Sequence, residues 1–335
     1  MNFDERVKAI ADKHFTERQA RFLVTVMLHS GICMRRHYCS FAGIRHGQVD
    51  VNFFDRLTAD KFATAFDCKH NRARIYHVHH RALYEAIGEP HSRLRKPLAL
   101  ARAVENVMIL DAVIARPEVT WLATEREKVE HFALRVGQLL HREEFPHLEF
   151  GDAGSTTTRY FPDRLPIGVD QDHHGHLFLY LVTRRVPVDF RPFLQRHADL
   201  LRALPKWTLQ LLVPAHLSES TEAFLAAARQ ELAAPLRASV VEELRWYFNE
   251  RQRITVADDD SARSADPARY QRVRRAFGAP RYRVLYRTWT RVGDRAVNGL
   301  ESRVLADALE RRTGRIEYQS LPRPYLHLSP LVGTG

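Results

Sequence analysis

Apolar positions repeat at helical spacing near the start of the chain, where Phe22, Leu23, Val26 and Met27 follow Phe15-Thr16-Glu17-Arg18-Gln19. Thr16 is placed to cap a helix, Gln19 to complete a capping box three residues on, and Gly31 to close the segment. A second short helix is predicted at about Met34–Ala42. A third runs from about Gln48 to Thr58, with Val51, Phe54 and Leu57 on its buried face and Gln48, Asn52, Asp55 and Arg56 opposite. Phe62–Phe66 then alternates, Cys68-Lys69-His70-Asn71 reads as a turn, Arg72–His79 as a returning strand and His80–Ile87 as a helix stopped by Gly88 and Pro90. Three helices, a hairpin and a helix, in that order, make a winged helix-turn-helix over about residues 15–88. Small three-helix cores of other kinds share the order.

Glu89–Pro97 is basic, contains proline and lacks periodicity, which suits a linker, and Leu98–Ile114 is helical in pattern. A helix at Thr124–Leu140 is followed by short strands near Leu148, Thr156–Phe161 and Ile167–Val169, then by the apolar strand Leu177–Val182. Helix Phe190–Leu204, strand Thr208–Val213 and helix Glu219–Leu232 complete an αβββαβ order closed by a further helix. Beyond Pro235 the pattern gives a basic helix at Val240–Arg253 and a flexible connection at Ala257–Pro267 containing Asp258-Asp259-Asp260. A helix at Pro267–Phe277, a strand at Arg281–Val292, a helix at Val297–Arg312 and a strand at Ile316–Leu321 follow. The expectation is a mixed α/β (α+β) chain of three units: residues 1–95, 96–235 and 236–335. No repeat of 20–50 residues occurs.

The length of 335 residues allows two or three cores, and 45% apolar with 27% charged residues is a globular composition. No run of 18 apolar residues occurs and Met1–Phe15 is charged, so a cytoplasmic, nucleoid-associated protein with no membrane partner is expected. Cys33, Cys39 and Cys68 cannot build a disulfide framework. A zinc site among them would need a further ligand such as His70, and the spacings match no zinc module, so no cofactor is expected. The net charge of +11 points to a polyanionic partner, since phosphate neutralisation with counterion release supplies most non-specific nucleic-acid affinity. From Pro235 onward there are 19 Arg and no Lys. Arginine's planar fork suits phosphate and guanine, although a GC-rich genome also raises Arg content.

The αβββαβ order is that of the PD-(D/E)XK nuclease core, and Phe161-Pro162-Asp163 stands where that family carries its Pro-Asp pair. Those nucleases place an E-x-K on the next core strand to hold Mg²⁺ and activate water. Here that strand reads Leu179-Tyr180-Leu181-Val182-Thr183, and Asp170 and Asp172 fall in a turn. Through Thr16-Glu17-Arg18-Gln19 and Phe161-Pro162-Asp163 the chain resembles the replication-relaxation family of plasmids and other bacterial mobile elements, over about residues 15–233. The resemblance implies a winged helix ahead of a nuclease-like domain. The missing E-x-K separates the chain from a hydrolytic role, leaving a nuclease with displaced acidic residues as the alternative.

His77-Val-His79-His80 and His173-His174-Gly-His176 are possible metal or phosphate contacts, or simply a half-exposed strand and a solvated turn. Neither a Gly-x-Ser-x-Gly elbow, a Walker loop nor a Gly-x-Gly-x-x-Gly occurs, which argues against a hydrolase of that kind and a nucleotide-driven motor. Arg245-Trp246-Tyr247-Phe248 could stack on bases, but its spacing also suits packing. No enzymatic activity is expected. The expected partner is double-stranded DNA, with a recombinase or replication protein and a second copy of the chain as further candidates. Gln48 and Asn52 would face adenine, and Arg56 guanine or a phosphate. Arg35, Arg36, His37 and Arg45 would fix the register on the backbone, and Lys69, Asn71, Arg72 and Arg74 would reach from the wing.

Overall fold

The structure, a computed structural model, describes residues 1–68, 73–151, 155–172, 174–256, 264–323, 325 and 328. The chain opens with α1 (Phe3–Ala11), which the sequence reading missed because its surface is charged; Val7 and Ile10 are its buried residues beside Arg6. In α2 (Glu17–His29) the capping box forms as expected: Thr16 Oγ1 accepts from the Gln19 N–H at 3.3 Å and Gln19 Oε1 accepts from the Thr16 N–H at 3.1 Å. Strand β1 (Ile32–Cys33), α3 (Arg35–Ala42), α4 (Gln48–Ala59), β2 (Ala63–Asp67), β3 (Arg74–Val78) and α5 (Arg81–Ala86) follow. The three strands form an antiparallel sheet in the order β1-β3-β2. Phe22, Tyr38, Phe53, Phe54 and Tyr76 fill the space beneath it with rings 4.3–6.4 Å apart.

The segment 89–97 is not a free linker. Leu94 packs so closely on Gly31, at φ +67°, that a Cβ there would stand 2.6 Å from the Leu94 carbonyl oxygen. That same oxygen accepts from His77 Nε2 at 2.8 Å. Next comes α6 (Leu100–Ile114), apolar on nearly every side and correspondingly buried. Leu110 joins the core of the N-terminal unit, while Val104, Val107 and Met108 meet Leu179, Leu181, Leu212 and Leu321 of the central sheet. The helix is therefore the spine that fastens the N-terminal unit to the centre.

The central elements are β4 (Thr120–Leu122), α7 (Glu125–Val136), β5 (His147–Phe150), β6 (Thr157–Tyr160), β7 (Ile167–Val169), β8 (Gly175–Leu181), α8 (Phe190–Ala203), β9 (Lys206–Pro214) and α9 (Thr221–Leu232). Arg6 of α1 reaches Glu127 of α7 at 2.5 Å, a second tie between the units. Beyond α9 lie α10 (Ala238–Val256), α11 (Pro267–Ala276), α12 (Pro280–Val292), α13 (Val304–Glu310) and β10 (Gly314–Leu321). The five-stranded sheet has the order β10-β9-β8-β7-β4, with β8, β9 and β10 parallel and β7 antiparallel to both its neighbours.

The structure departs from the sequence expectation in five places. Among the described residues strands β5 and β6 pair only with each other, as a separate hairpin, so the αβββαβ order does not correspond to one continuous sheet. Strand β4 enters the sheet ahead of α7 without having been foreseen. Residues after 235 keep a core of their own around α10, α11 and α12, but the last strand returns to the centre, β10 pairing with β9 from Gly314↔Trp207 to Leu321↔Pro214. Finally, Arg281–Val292 is helical. Its alternation suggested a strand, but Pro280 opens a helix that buries Arg281, Val284, Leu285 and Trp289. The helix expected at Val297–Arg312 shrinks to α13, after a loop with Gly299 at φ +75°. Among the described residues no helix is long and apolar enough to cross a membrane.

Candidate nucleic-acid interface

Helices α3 and α4 are joined by a turn at residues 43–47, in which Gly43 takes the left-handed conformation at φ +65°. The turn is held from inside by Asp50, which the sequence reading did not single out and which is fully buried. Its carboxylate accepts from the Gly47 N–H at 2.6 Å, Arg35 Nε at 2.7 Å and His46 Nδ1 at 3.2 Å. Burial pushes this carboxyl up, but the three hydrogen bonds and the Arg35 charge outweigh it and hold the group well below the usual carboxylate range. With Asp50 inward, the buried face of α4 becomes Asp50, Phe53, Phe54 and Leu57, and Val51 is only half-buried.

The opposite side of α4 presents Gln48, Val49 and Asn52, all exposed, and Arg45 is exposed in the turn before it. Val49 is 62% exposed, an apolar side chain turned to solvent between two amides, and the sequence reading did not single it out. Gln48 Nε2 donates to Asn52 Oδ1 at 2.6 Å, so the two amides are aligned with each other. Arg35 keeps 38% of its side chain in solvent while bonded to Asp50. These five residues lie together at the N-terminal end of α4.

Other candidates are placed elsewhere. His37 is buried, its Nδ1 accepting from the Met34 N–H at 2.9 Å and its Nε2 facing Asp111 at 3.1 Å, so it cannot touch a duplex. Arg36 is taken up by a two-pronged contact with Asp111. Arg56 turns back to the end of α1, donating to the His14 carbonyl at 2.8 Å and stacking 4.7 Å over Phe15. Arg74 is exposed and paired with Asp67 at 2.8 Å. Lys69, Asn71 and Arg72 lie outside the described residues. Between α4 and the hairpin runs an open cleft, lined by Arg35, Arg36, Arg74 and Tyr76 and by the acids Asp55 and Asp67.

Cys39 Sγ, His46 Nδ1 and Asp50 Oδ2 lie within 4.8 Å of one another, the one such group among the described residues. Burial and the Asp50 charge raise the Cys39 thiol, and Arg35 already occupies the same Asp50 oxygen. The trio fits a locked helix cap better than a cation site, which would need a thiolate and a free carboxylate. In the centre, Asp163 meets Arg196 Nη2 at 2.7 Å. Asp170 accepts from the backbone N–H groups of His174 and Gly175 at 3.0 and 2.9 Å, which closes its turn. His77 and His79 are bonded to the Leu94 carbonyl and Thr64 at 2.8 Å each, and His176 meets His131 at 2.9 Å. His173 lies outside the described residues. Tyr247 and Phe248 are buried in packing, and Arg269 covers the Trp246 ring at 4.0 Å. A scan against protein-family models and searches of curated proteins and of solved structures find no match to this chain.

Proposed function

We propose that the chain binds double-stranded DNA in a sequence-reading manner, with α4 as the element that enters the major groove and the sheet-bearing centre as its scaffold. The observation that carries this reading is the exposed strip Arg45, Gln48, Val49 and Asn52 on the second helix of a helix-turn-helix whose turn is locked by Asp50. Gln and Asn amides pair bidentately with adenine, and an apolar side chain between them suits a thymine methyl group, so the strip is built for A·T pairs. Arg35 and Arg45 are the phosphate contacts that would set the register. Arg56, Arg36 and His37 have no part in it. The bound site would belong to a mobile element, serving replication, recombination accessory work or transcription, and a palindromic site would seat two copies. A nuclease reading would need a divalent metal at Asp163, where Arg196 already neutralises the carboxylate.

Selection from a random duplex library is expected to return an A·T-containing consensus. The Gln48→Ala/Asn52→Ala variant should lose about 1–3 kcal/mol of discrimination at one or two of those pairs while its dependence on salt stays as in the parent. A library that yields no consensus, or a variant with the parent's preference, would overturn the reading.

A further inference from the structure

Positive charge in this chain is concentrated. Residues 264–300 hold nine Arg, no Lys and no Glu, and their two acids are Asp266 and Asp294, a net of seven charges out of the chain's eleven. A GC-rich genome exchanges Lys for Arg but does not remove acidic residues, so the imbalance rather than the Arg count is informative. Both acids are committed: Asp266 accepts from the Arg269 N–H at 2.9 Å as the cap of α11, and Asp294 accepts from Trp289 Nε1 at 2.9 Å. Arg281 is turned inward to the Ala234 carbonyl at 3.2 Å, with Glu231 3.7 Å away.

The remaining arginines are sorted by helix geometry. Leu285 and Trp289 of α12 pack toward Leu244 and Phe248 of α10 and Val284 is buried beside them in the helix, which leaves Arg283, Arg287 and Arg291 exposed at four-residue steps, about 6 Å apart along the axis. Val273 anchors α11 in the same core and leaves Arg274 and Arg275 outside. Among the described residues Arg274, Arg275, Arg287 and Arg291 have no acidic partner. Like charges crowded on rigid helices repel one another, and only an anionic partner offsets that cost. The neighbouring rings offer no stacking platform for single strands, since Arg269 lies 4.0 Å over Trp246 and Arg251 4.0 Å over Tyr286. A regular row of guanidinium groups on a straight helix suits the evenly spaced phosphates of a duplex.

We propose that the outer faces of α11 and α12 form a second DNA surface, one that grips the phosphate backbone of a duplex without reading its sequence. It rests on the DNA-binding reading only for the choice of polyanion, and it uses none of the α4 residues. Binding of the full chain to a duplex of random sequence, followed by fluorescence anisotropy over a range of salt, tests it. Each phosphate contact adds about 0.9 to the slope of log affinity against log salt, so Arg287→Ala/Arg291→Ala should lower the slope by about two and the affinity by about tenfold or more. Arg287→Lys/Arg291→Lys should keep most of the slope. Arg135→Ala/Arg229→Ala removes the same charge from exposed positions on α7 and α9 and should change neither quantity. Equal behaviour of the α12 Ala pair and this control would overturn the proposal. So would a larger loss on duplex RNA or single-stranded DNA than on duplex DNA. Gln48→Ala/Asn52→Ala, by contrast, should change sequence preference with the slope intact. If preference alone fails to move, the α4 reading falls and the α12 surface stands.

Discussion

Replacing Asp111 by Ala is expected to lower the unfolding free energy by about 3–5 kcal/mol, measured by denaturant unfolding near neutral pH. Asp111 sits on α6 with 17% of its side chain exposed and gathers three groups from two distant parts of the chain. Arg36 clasps both its oxygens, His37 Nε2 lies 3.1 Å from Oδ1, and the Tyr325 hydroxyl donates to Oδ2 at 2.8 Å. Because His37 Nδ1 accepts from the Met34 N–H, its Nε2 must carry the proton and donate. The variant leaves a buried imidazole and a mostly buried guanidinium without their acceptor, which is the costly way to break such a network. Burial pushes the Asp111 carboxyl up, yet hydrogen bonds from His37 and Arg36 and their charges hold it below the usual carboxylate range. A carboxylate depressed in the folded state contributes stability that is present above its unfolded value, near 4, and lost as the pH falls below it. The gap between parent and Asp111→Ala should therefore narrow below about pH 4. A loss under about 1 kcal/mol at neutral pH would show that α6 is not fastened through this carboxylate.

The consequence reaches the proposed DNA interface, because Arg36 and His37 belong to α3, the helix that supports the turn before α4. The same pairing explains why these two residues were placed on the surface by sequence reasoning. Their partner lies 74 and 75 residues away, beyond the reach of any local pattern. Arg56 was misplaced for the same reason, its acceptor at His14 being 42 residues distant. Asp50 carried a usable signal, since an acid three residues after Gly47 can accept the N–H that opens a helix. Reading it inward would have corrected the phase of α4 and brought out Val49.

Where short-range physics decides the structure, the sequence was legible. The Thr16–Gln19 box, the apolar spacing of α2 and the turn-bounded hairpin of β2 and β3 all depend on neighbours within a few residues. The apolar run of β8 is legible too, since a strand buried on both faces shows itself by composition. The failures lie where distant segments decide. Ile316–Leu321 was legible as a strand, but its parallel pairing with the distant β9 was not. For Arg281–Val292 two periodicities compete, and the core formed with α10 and α11 selects the helical one. The five-stranded sheet was thus divided at residue 235 in the sequence reading, although each of its strands except β4 was foreseen.

The second large effect has the opposite sign: Lys128→Met is expected to stabilise the protein by about 1–3 kcal/mol at pH 7. Lys128 lies on α7 with 1% exposure, its ammonium group donating to the Leu165 carbonyl at 2.8 Å. Burial lowers its pKa to about 8 against the partial support of the Glu127 and Asp163 charges. Below pH 8 the lysine is charged in both states and the folded state bears the full desolvation cost. As the pH rises from 8 toward the ordinary lysine value of 10.5, the folded state sheds the proton first and the cost is relieved. The advantage of Met should be largest at or below pH 7 and should shrink as pH 10 is approached. Leaving the Leu165 carbonyl without this donor returns about 1 kcal/mol, and Asp163 keeps Arg196 as its partner. Lys128→Ala would instead open a cavity beside Phe161 and destabilise. The Met variant also discriminates between the roles of the centre. A buried lysine near an aspartate is what a nuclease with displaced residues would use, so metal-dependent DNA cleavage lost in Lys128→Met would make the centre catalytic. A more stable variant with unchanged DNA affinity and no cleavage in either protein would leave it a scaffold.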